Sequence, residues 1–180
     1  MNQQPPYLDF NATAPVLPAV LDAMREVEAL PLNPSSVHAL GRKAKQLVEE
    51  SRRTIASAMG VWPDEVIFTA SGTEANNMAL HALADYQLIC PAAEHSSVLN
   101  VVKAQGGAVL PVQPNGLVDM AALEAELSQK GEKTLVSVML ANNETGVIQP
   151  VKEIAQLVHK HGALLHCDAV QALGKHAFDF

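Results

Sequence analysis

One acidic residue near the end of the sequence stands where α/β proteins commonly bind their ligands. Asp168 directly follows the apolar run 163–167, which is typical of a buried strand. Ligands of open α/β sheets bind at the carboxyl ends of the strands. Strand alternation predicts that His166 and Asp168 share one face, with Cys167 on the other. A buried carboxylate needs a strong partner, so Asp168 either caps a following helix or pairs with a ligand, and Gln171 follows one short turn later.

A second candidate group lies between a predicted strand and a predicted helix, in the segment 71–77, Ser-Gly-Thr-Glu-Ala-Asn-Asn. Gly72 would let a ligand approach the backbone, and Thr73 offers a hydroxyl donor. The N-terminus of the helix supplies free N–H groups and positive potential, which suit a phosphate. The segment matches neither the Walker pattern nor Gly-x-Gly-x-x-Gly. Ordinary capping of the helix by Ser71 or Thr73 is the alternative.

Two further polar segments follow apolar runs in the same way. Glu94 and His95 come after the run that ends at Cys90, and Ala-Asn-Asn-Glu-Thr-Gly at 141–146 follows the next buried run. Each has an ordinary interpretation, because a loop histidine is commonly a surface residue and amides before a glycine commonly form a turn. The position of these segments at the ends of strands makes them candidates for the same crevice.

Polar groups therefore follow four predicted strands and would meet at one edge of a sheet: Thr73, His95, Asn143, and Asp168 with Gln171. A phosphate cradle, a histidine that can stack on an aromatic ring and a buried acid fit pyridoxal 5'-phosphate. In this interpretation the phosphate lies at Thr73 and the pyridine nitrogen pairs with Asp168. The ion pair would keep the nitrogen protonated, which makes the ring an electron sink.

Strands and helices must alternate to position these groups. The apolar periodicity after Pro63 predicts, in order, strand 65–69, helix 72–85, strand 87–90, helix 96–104, strand 108–112, helix 119–129, strand 134–140, helix 151–161 and strand 163–167. This alternation implies crossovers and a mainly parallel sheet flanked by helices. The predicted fold class is therefore α/β, with a cofactor-binding α/β domain over residues 63–180.

The first 62 residues predict a separate N-terminal helical segment. Residues 7–10 have the composition of a short strand, and apolar residues at helical spacing follow over 16–27. A long helix is predicted to end near Met59, with one of the serines at 35–36 as its N-cap.

Composition excludes several classes of protein. Of 180 residues, 48% are hydrophobic and 17% charged, as in a globular chain, and the net charge of −7 argues against a nucleic-acid or anionic-membrane surface. Cys90 and Cys167 lie in apolar runs and are expected to be reduced thiols of a cytoplasmic protein. The N-terminal residues lack the features of a signal peptide. The histidines do not follow a metal-binding spacing, so no metal site is predicted.

Motifs along nearly the whole sequence occur in the order found in one enzyme family. They are Tyr7-Leu-Asp-Phe-Asn-Ala-Thr13, Asn33-Pro-Ser-Ser-Val-His38 with Gly41-Arg42, the segment 67–77, Glu94-His95, Leu140 to Pro150, and the segment 166–172 with Gly174-Lys175. The sequence resembles the cysteine desulfurases, pyridoxal-phosphate enzymes related to the class V aminotransferases. Asn-Asn-Glu-Thr-Gly-Val-Ile-Gln-Pro at 142–150 is the most specific motif and favours desulfurases over other class V enzymes. The resemblance implies a truncated large domain of the aspartate-aminotransferase-like fold (fold type I), without the small C-terminal domain.

The resemblance also implies a role for each matching residue. The residues expected to bind the cofactor are Gly72, Thr73, His95, Asn143, Asp168 and Gln171. Gly72 and Thr73 are expected to hold the phosphate. Asp168 is expected to pair with the ring nitrogen, and Asn143 and Gln171 to form hydrogen bonds near the ring hydroxyl. His95 stacks on the ring and is the expected catalytic residue. Asn11 is expected to contact the substrate carboxylate, whereas Phe10 and Leu32 replace the family's usual Asn and Gly.

The implied activity is removal of sulfur from L-cysteine, which gives alanine and a persulfide for iron–sulfur cluster assembly or another sulfur transfer. The implied partners are a second copy in a homodimer and sulfur-acceptor or scaffold proteins. The family's Schiff-base lysine and persulfide-forming cysteine would lie beyond Phe180, and Lys175 matches a different lysine. The 180-residue chain is therefore expected to be inactive alone. A non-catalytic, truncated fragment that binds a partner and a selenocysteine lyase-like enzyme are the alternatives.

Overall fold

The computed structural model describes residues 5–131 and 133–176, which form two compact units. The first unit runs to Phe68 and the second begins at Thr69. The predicted boundary between an N-terminal helical segment, residues 1–62, and a cofactor-binding domain, residues 63–180, stays a prediction. Residues 1–4 and 177–180 of the two predicted domains lie outside the described residues, as does residue 132.

The first unit is helical. It contains α1 (Pro18–Glu28), α2 (Ala39–Met59) and a 3₁₀ helix (Pro63–Glu65). The Nδ1 atom of His38 accepts a hydrogen bond of 3.2 Å from the N–H of Gly41, so His38 is the N-cap of α2. The predicted cap by a serine at 35–36 is wrong, because extended His38 directly precedes the first turn and its ring reaches the free amide. None of the helices in the described part of the chain is both long and apolar enough to cross a membrane.

Two strands predicted for this half of the sequence do not form. Residues 7–10 enter a turn in which the N–H of Ala12 donates to the carbonyl of Asp9 at 3.2 Å. Residues 66–69, which follow the 3₁₀ helix, have no regular structure, and the carbonyl of Val66 accepts from the guanidinium of Arg52. A strand needs a neighbouring strand for its backbone groups, and here the carbonyl of Asp9 accepts within a turn and that of Val66 accepts from a side chain instead.

The second unit is built on a parallel sheet, which confirms the predicted α/β fold. Its strands are β1 (Gln87–Pro91), β2 (Ala108–Leu110), β3 (Thr134–Met139) and β4 (Leu164–Asp168), in the order β2-β1-β3-β4. Every described strand pair is parallel. The helices that connect or precede these strands are α3 (Gly72–Ala82), α4 (Ser96–Ala104), α5 (Met120–Lys130) and α6 (Val151–Lys160).

Most of these elements match their predicted positions within three residues, and the differences have local causes. The strand β2 ends at Leu110 because Pro111 has no N–H for the ladder. Val112 instead forms an isolated antiparallel bridge with Val118. The last strand begins and ends one residue later than predicted, so that Asp168 is itself its final residue.

Hydrophobic clusters cover both faces of the sheet, as a parallel sheet requires. One cluster joins Ile89, Val136 and Val138 to residues of α5 and α6. The other joins Leu88 and Leu135 to residues of α3 and α4. Alternate residues of each strand thus enter opposite cores, and this packing fixes the positions of the strand ends.

The strand order reverses between β1 and β3. The chain passes from β1 to β2 on one side and later returns to place β3 on the other side of β1. In open α/β sheets, ligands bind in the crevice at the carboxyl ends of strands where the order reverses. The loops after β1 and β3 therefore border the expected crevice.

Candidate cofactor-binding site

Asp168 is held by backbone and side-chain bonds at the carboxyl end of β4. It pairs with Met139 of β3, and its carbonyl accepts from the N–H of Leu140 at 2.9 Å. Its Oδ2 accepts from Nδ2 of Asn76 at 2.8 Å, and its Oδ1 accepts from the N–H of Val170 at 3.0 Å. The described residues after Asp168 form turns, so the carboxylate caps a turn and not the helix that was the alternative, and it has a long-range partner as well. Since each carboxylate oxygen has two lone pairs, the group can still accept from a cationic ligand.

A chain of hydrogen bonds joins Asp168 to His95. The Nδ2 of Asn76 donates to the carboxylate and also to Oγ of Ser97, at 2.9 Å. This oxygen lies 2.8 Å from Nδ1 of His95, which also accepts from the N–H of Ser97 at 3.2 Å. His95 is exposed and is the N-cap of α4. Two predicted site residues on different elements are thus connected through two buried polar side chains.

The carboxyl of Glu94 links the loops on either side of the strand-order reversal. Its Oε1 accepts from the N–H of Met139, the last residue of β3, at 2.7 Å. Its Oε2 is buried and has no hydrogen-bond partner among the described residues. Burial raises the pKa of Glu94 to about 8, the bond from Met139 lowers it and the charge of Asp168 raises it further. Glu94 is therefore largely protonated at neutral pH.

Both thiols near this edge are held in their neutral form. Burial, followed by the charge of Glu94, raises the pKa of Cys90 to about 12. Burial and the charges of Asp168 and Glu94 raise the pKa of Cys167 to about 11. The thiolate is the reactive form of cysteine, so neither thiol has the properties of a nucleophile. Burial lowers the pKa of His166, whose Nδ1 lies 2.8 Å from Oγ of Ser137.

The N-terminus of α3 begins with an open glycine. The Oγ of Ser71 accepts from the N–H of Glu74 at 3.2 Å, so Ser71, not Thr73, is the cap. The Glu74 carboxylate accepts from the N–H of Ala70 at 2.6 Å. A Cβ added to Gly72 would meet nothing within 4 Å. The amides of Gly72 and Thr73 belong to the first turn, which has no intrahelical acceptor for them.

The other predicted residues lie on nearby loops or in the other unit. Asn143 follows Asn142, whose Nδ2 donates to the carbonyl of Ala93 at 2.9 Å and so ties the loop after β3 to the end of β1. The Oε1 of Gln171 accepts from Nζ of Lys175 at 2.8 Å, and Lys175 is exposed. Asn11 belongs to the first unit, and its role toward a substrate stays a prediction.

These features fit pyridoxal phosphate. The carboxylate of Asp168 can accept from a protonated ring nitrogen, and the open turn at Gly72 leaves room for a phosphate beside free N–H groups. Both groups belong to one rigid scaffold, because Asn76 lies on the same helix as Gly72 and binds Asp168 directly. The assignment of the individual cofactor-binding residues stays a prediction.

Sequence reasoning missed the residues that support this site. Asn76 and Ser97 are buried polar residues that were not singled out, Glu94 was noticed only as the neighbour of His95, and Asn142 only as one of the two amides of the segment 141–146. One signal was available for Asn76. It lies four residues before the buried Leu80 and hence on the inner face of α3, where a polar side chain needs a specific partner.

Comparison with known proteins defines the family. A profile of the aminotransferase class-V family matches residues 6–180. The chain therefore belongs to the class-V aminotransferase family, and the parallel α/β sheet flanked by helices agrees with the fold class that the resemblance implied.

The most similar relatives include cysteine desulfurases. An IscS-like cysteine desulfurase of Mycobacterium tuberculosis is 38% identical over 189 residues, which span 97% of this chain and 48% of the relative. The X-ray structure of a NifS-like protein from Rickettsia africae has a TM-score of 0.92 and 38% identity over 96% of this chain and 50% of that one. The protein SspA, solved in complex with cysteine, has a TM-score of 0.84 and 28% identity, over 96% of this chain and 53% of that one. The chain thus spans about half the length of these relatives.

Proposed function

We propose that the chain is the cofactor-binding part of a pyridoxal-phosphate-dependent cysteine desulfurase. The single observation that carries the proposal is the carboxylate of Asp168, fixed at the end of β4 by Asn76 and connected to His95 through Ser97. Similarity to desulfurases over nearly the whole chain supports the same conclusion. The substrate proposed is L-cysteine, with which the similar protein SspA was solved.

In this proposal each site residue binds or orients a bound molecule. Pyridoxal phosphate supplies an electron sink for the substrate's α-carbon when it is bound. Asp168 balances the positive charge of the ring nitrogen, and Gly72 with Thr73 holds the phosphate. His95 contacts the ring and is the catalytic residue proposed here. Asn143 and Gln171 bond near the ring hydroxyl, and Asn11 holds the substrate carboxylate.

The proposed overall reaction transfers one sulfur atom. The C–S bond of cysteine breaks, an acceptor thiol gains the sulfur as a persulfide, and the substrate carbon gains a proton to become alanine. The high pKa values of Cys90 and Cys167 argue against either as the acceptor. We therefore expect no sulfide release from the 180-residue chain alone. We further propose a homodimer and transfer of the persulfide to an acceptor or scaffold protein, for example in iron–sulfur cluster assembly.

Titration of the 180-residue chain with pyridoxal phosphate tests the cofactor proposal. We expect reversible binding by equilibrium dialysis, weakened about 10-fold or more in Asp168→Ala, since a hydrogen bond to a charged group contributes roughly 1.5–3 kcal/mol. Gly72→Ala should also weaken binding while the far-UV spectrum stays unchanged, because its side chain enters open space.

The exposed Lys175 provides the control. Lys175→Ala should bind the cofactor as the wild type does, and borohydride reduction should leave no stoichiometric pyridoxyl adduct on Lys175. If wild type and Asp168→Ala bind equally, or neither binds, the cofactor proposal fails and the non-catalytic, partner-binding alternative takes its place.

A further inference from the structure

We propose that Asn76 and Ser97 are positioning residues that hold His95 in the tautomer with its proton on Nε2 while they orient the carboxylate of Asp168. That the N–H at Nε2 of His95 serves as a donor to the ring of bound pyridoxal phosphate rests on the proposed function. The arrangement itself follows from the hydrogen bonds of the protein.

The carboxylate of Asp168 decides which atom donates in each hydrogen bond from Asn76 through the hydroxyl of Ser97 to His95. A carboxylate only accepts, so the amide nitrogen of Asn76, and not its oxygen, must face Oδ2 of Asp168 at 2.8 Å. The second N–H of the same nitrogen then points to Oγ of Ser97 at 2.9 Å. Since this oxygen accepts from Asn76, its own proton is free to be donated onward. The acceptor within reach is Nδ1 of His95, 2.8 Å away.

A second bond gives the same answer independently. The backbone N–H of Ser97 can only donate, and it points to Nδ1 of His95 at 3.2 Å. A ring nitrogen that accepts carries no proton, so the neutral imidazole has its proton on Nε2. The hydroxyl and the backbone amide of Ser97 therefore both favour one tautomer, and uptake of a proton at Nδ1 would break both bonds.

The two connecting residues are buried, and their hydrogen bonds join them to the site. Asn76 is 5% and Ser97 8% exposed, whereas His95 is exposed. Buried polar side chains are costly unless they are hydrogen-bonded. The Nδ2 of Asn76 donates to Asp168 and to Ser97, and the donors of Ser97 are directed to Nδ1 of His95. His95 therefore offers a bound molecule an N–H donor and a stacking face, and no free ring lone pair.

Nitrogen NMR on the chain without cofactor tests the tautomer directly. Long-range proton–nitrogen correlation of the histidine rings, at a pH where histidines are neutral, should give the Nε2–H pattern for His95. Removal of the hydroxyl in Ser97→Ala should move the Nδ1 resonance toward that of an unbonded ring nitrogen. Ser97→Thr, which keeps a hydroxyl, should restore it. The matched control is Ser96→Ala, because Ser96 is exposed and adjacent.

Cofactor affinity gives the second measurement. We expect Ser97→Ala to weaken pyridoxal phosphate binding about 5-fold, the equivalent of one hydrogen bond of about 1 kcal/mol, and Ser96→Ala to leave it unchanged. Wild-type His95 in the Nδ1–H form, or a His95 spectrum that is identical in Ser97→Ala, would overturn the proposal. A wild-type spectrum of the Nδ1–H form overturns the proposal even if a variant fails to fold. The predicted spectrum without cofactor binding would support the hydrogen-bond chain and reject the proposed function, so the two failures are distinguishable.

Discussion

The two units of the chain use similar amphipathic helices and differ in what those helices bury. In the first unit α1 has no buried residue, and α2 buries only Gly41, Ala44 and Ala56. In the second unit α6 fully buries Ile154 and Val158 against the sheet. Apolar residues recur at helical spacing in all three helices, so this pattern predicts a helix in each case but not whether its apolar face is buried. Only in the second unit does a parallel sheet supply the apolar partner.

We infer from this difference that the core of the second unit supplies most of the stability and holds the candidate site in place. Its two hydrophobic clusters enclose the sheet and fix the end of β4, which carries Asp168, and the end of β1, which is followed by the loop with Glu94. The first unit contributes exposed apolar side chains, among them Val20 at 46% and Met24 at 48%. Three predictions, from the largest expected effect to the smallest, test this comparison.

The largest effect is expected from matched isoleucines. Ile154 on α6 is 0% exposed and Ile55 on α2 is 41% exposed. Ile154→Ala should lower the free energy of unfolding by about 2–5 kcal/mol, because it leaves a cavity in a closed core. Ile55→Ala should change it by no more than about 0.5 kcal/mol. Urea denaturation followed by circular dichroism measures both, and equal losses in the two variants would break the comparison.

The next effect is a pH dependence that only the second unit should show. The folded-state pKa of Glu94, about 8, lies above its ordinary value of 4.5. Its contribution to stability is therefore fully present below pH 4.5 and is lost as pH rises to about 8, at a rate of at most about 1.4 kcal/mol per pH unit. Urea denaturation midpoints between pH 5 and 9 should show this decline in the wild type, whereas Glu94→Gln, which keeps the acceptor for Met139, should be flatter.

Neighbouring titratable groups do not produce the same pH dependence of stability. The raised pKa values of Cys90 and Cys167 affect stability only above pH 9. Asp168 is present both in the wild type and in Glu94→Gln. The lowered pKa of His166 makes stability rise with pH near 6.5, which is the opposite sign, and it is also shared. The exposed Glu50→Gln in the first unit is the control. A wild-type profile that coincides with that of Glu94→Gln would show that Glu94 is charged in the folded protein.

The smallest effect should be alike in both units. Ser71 caps α3 and His38 caps α2, each with one bond of 3.2 Å to a free amide. Ser71→Ala and His38→Ala should each cost about 1 kcal/mol, because a cap acts within one turn and does not depend on the core. Thermal unfolding followed by circular dichroism compares the two variants. A much larger loss in Ser71→Ala would mean that the cap also supports the sheet.

The sequence predicted those features that depend on local pattern. Alternating apolar runs and helical periodicity gave the order of the strands and helices after Gln87 to within three residues, because each element's own side chains must cover the sheet. Motifs gave the family, and the position of Asp168 after an apolar run gave the strand end. The same reasoning failed for residues 65–69, where β-branched and aromatic residues suggested a strand, but this segment pairs with no strand in the described part of the chain.

Only the tertiary structure decided how the polar residues are connected. Asn76 and Asp168 lie 92 positions apart, and Glu94 and Met139 lie 45 apart, so no local pattern announces either bond. The raised pKa of Glu94 and the directed bonds from Asn76 through Ser97 to His95 exist because packing removes water from groups brought together by the sheet. Sequence determined which groups are present at each strand end. The fold determined that the Glu94 carboxyl is buried against Met139 and that Asn76 connects Asp168 to Ser97, because these contacts join residues that are distant along the chain.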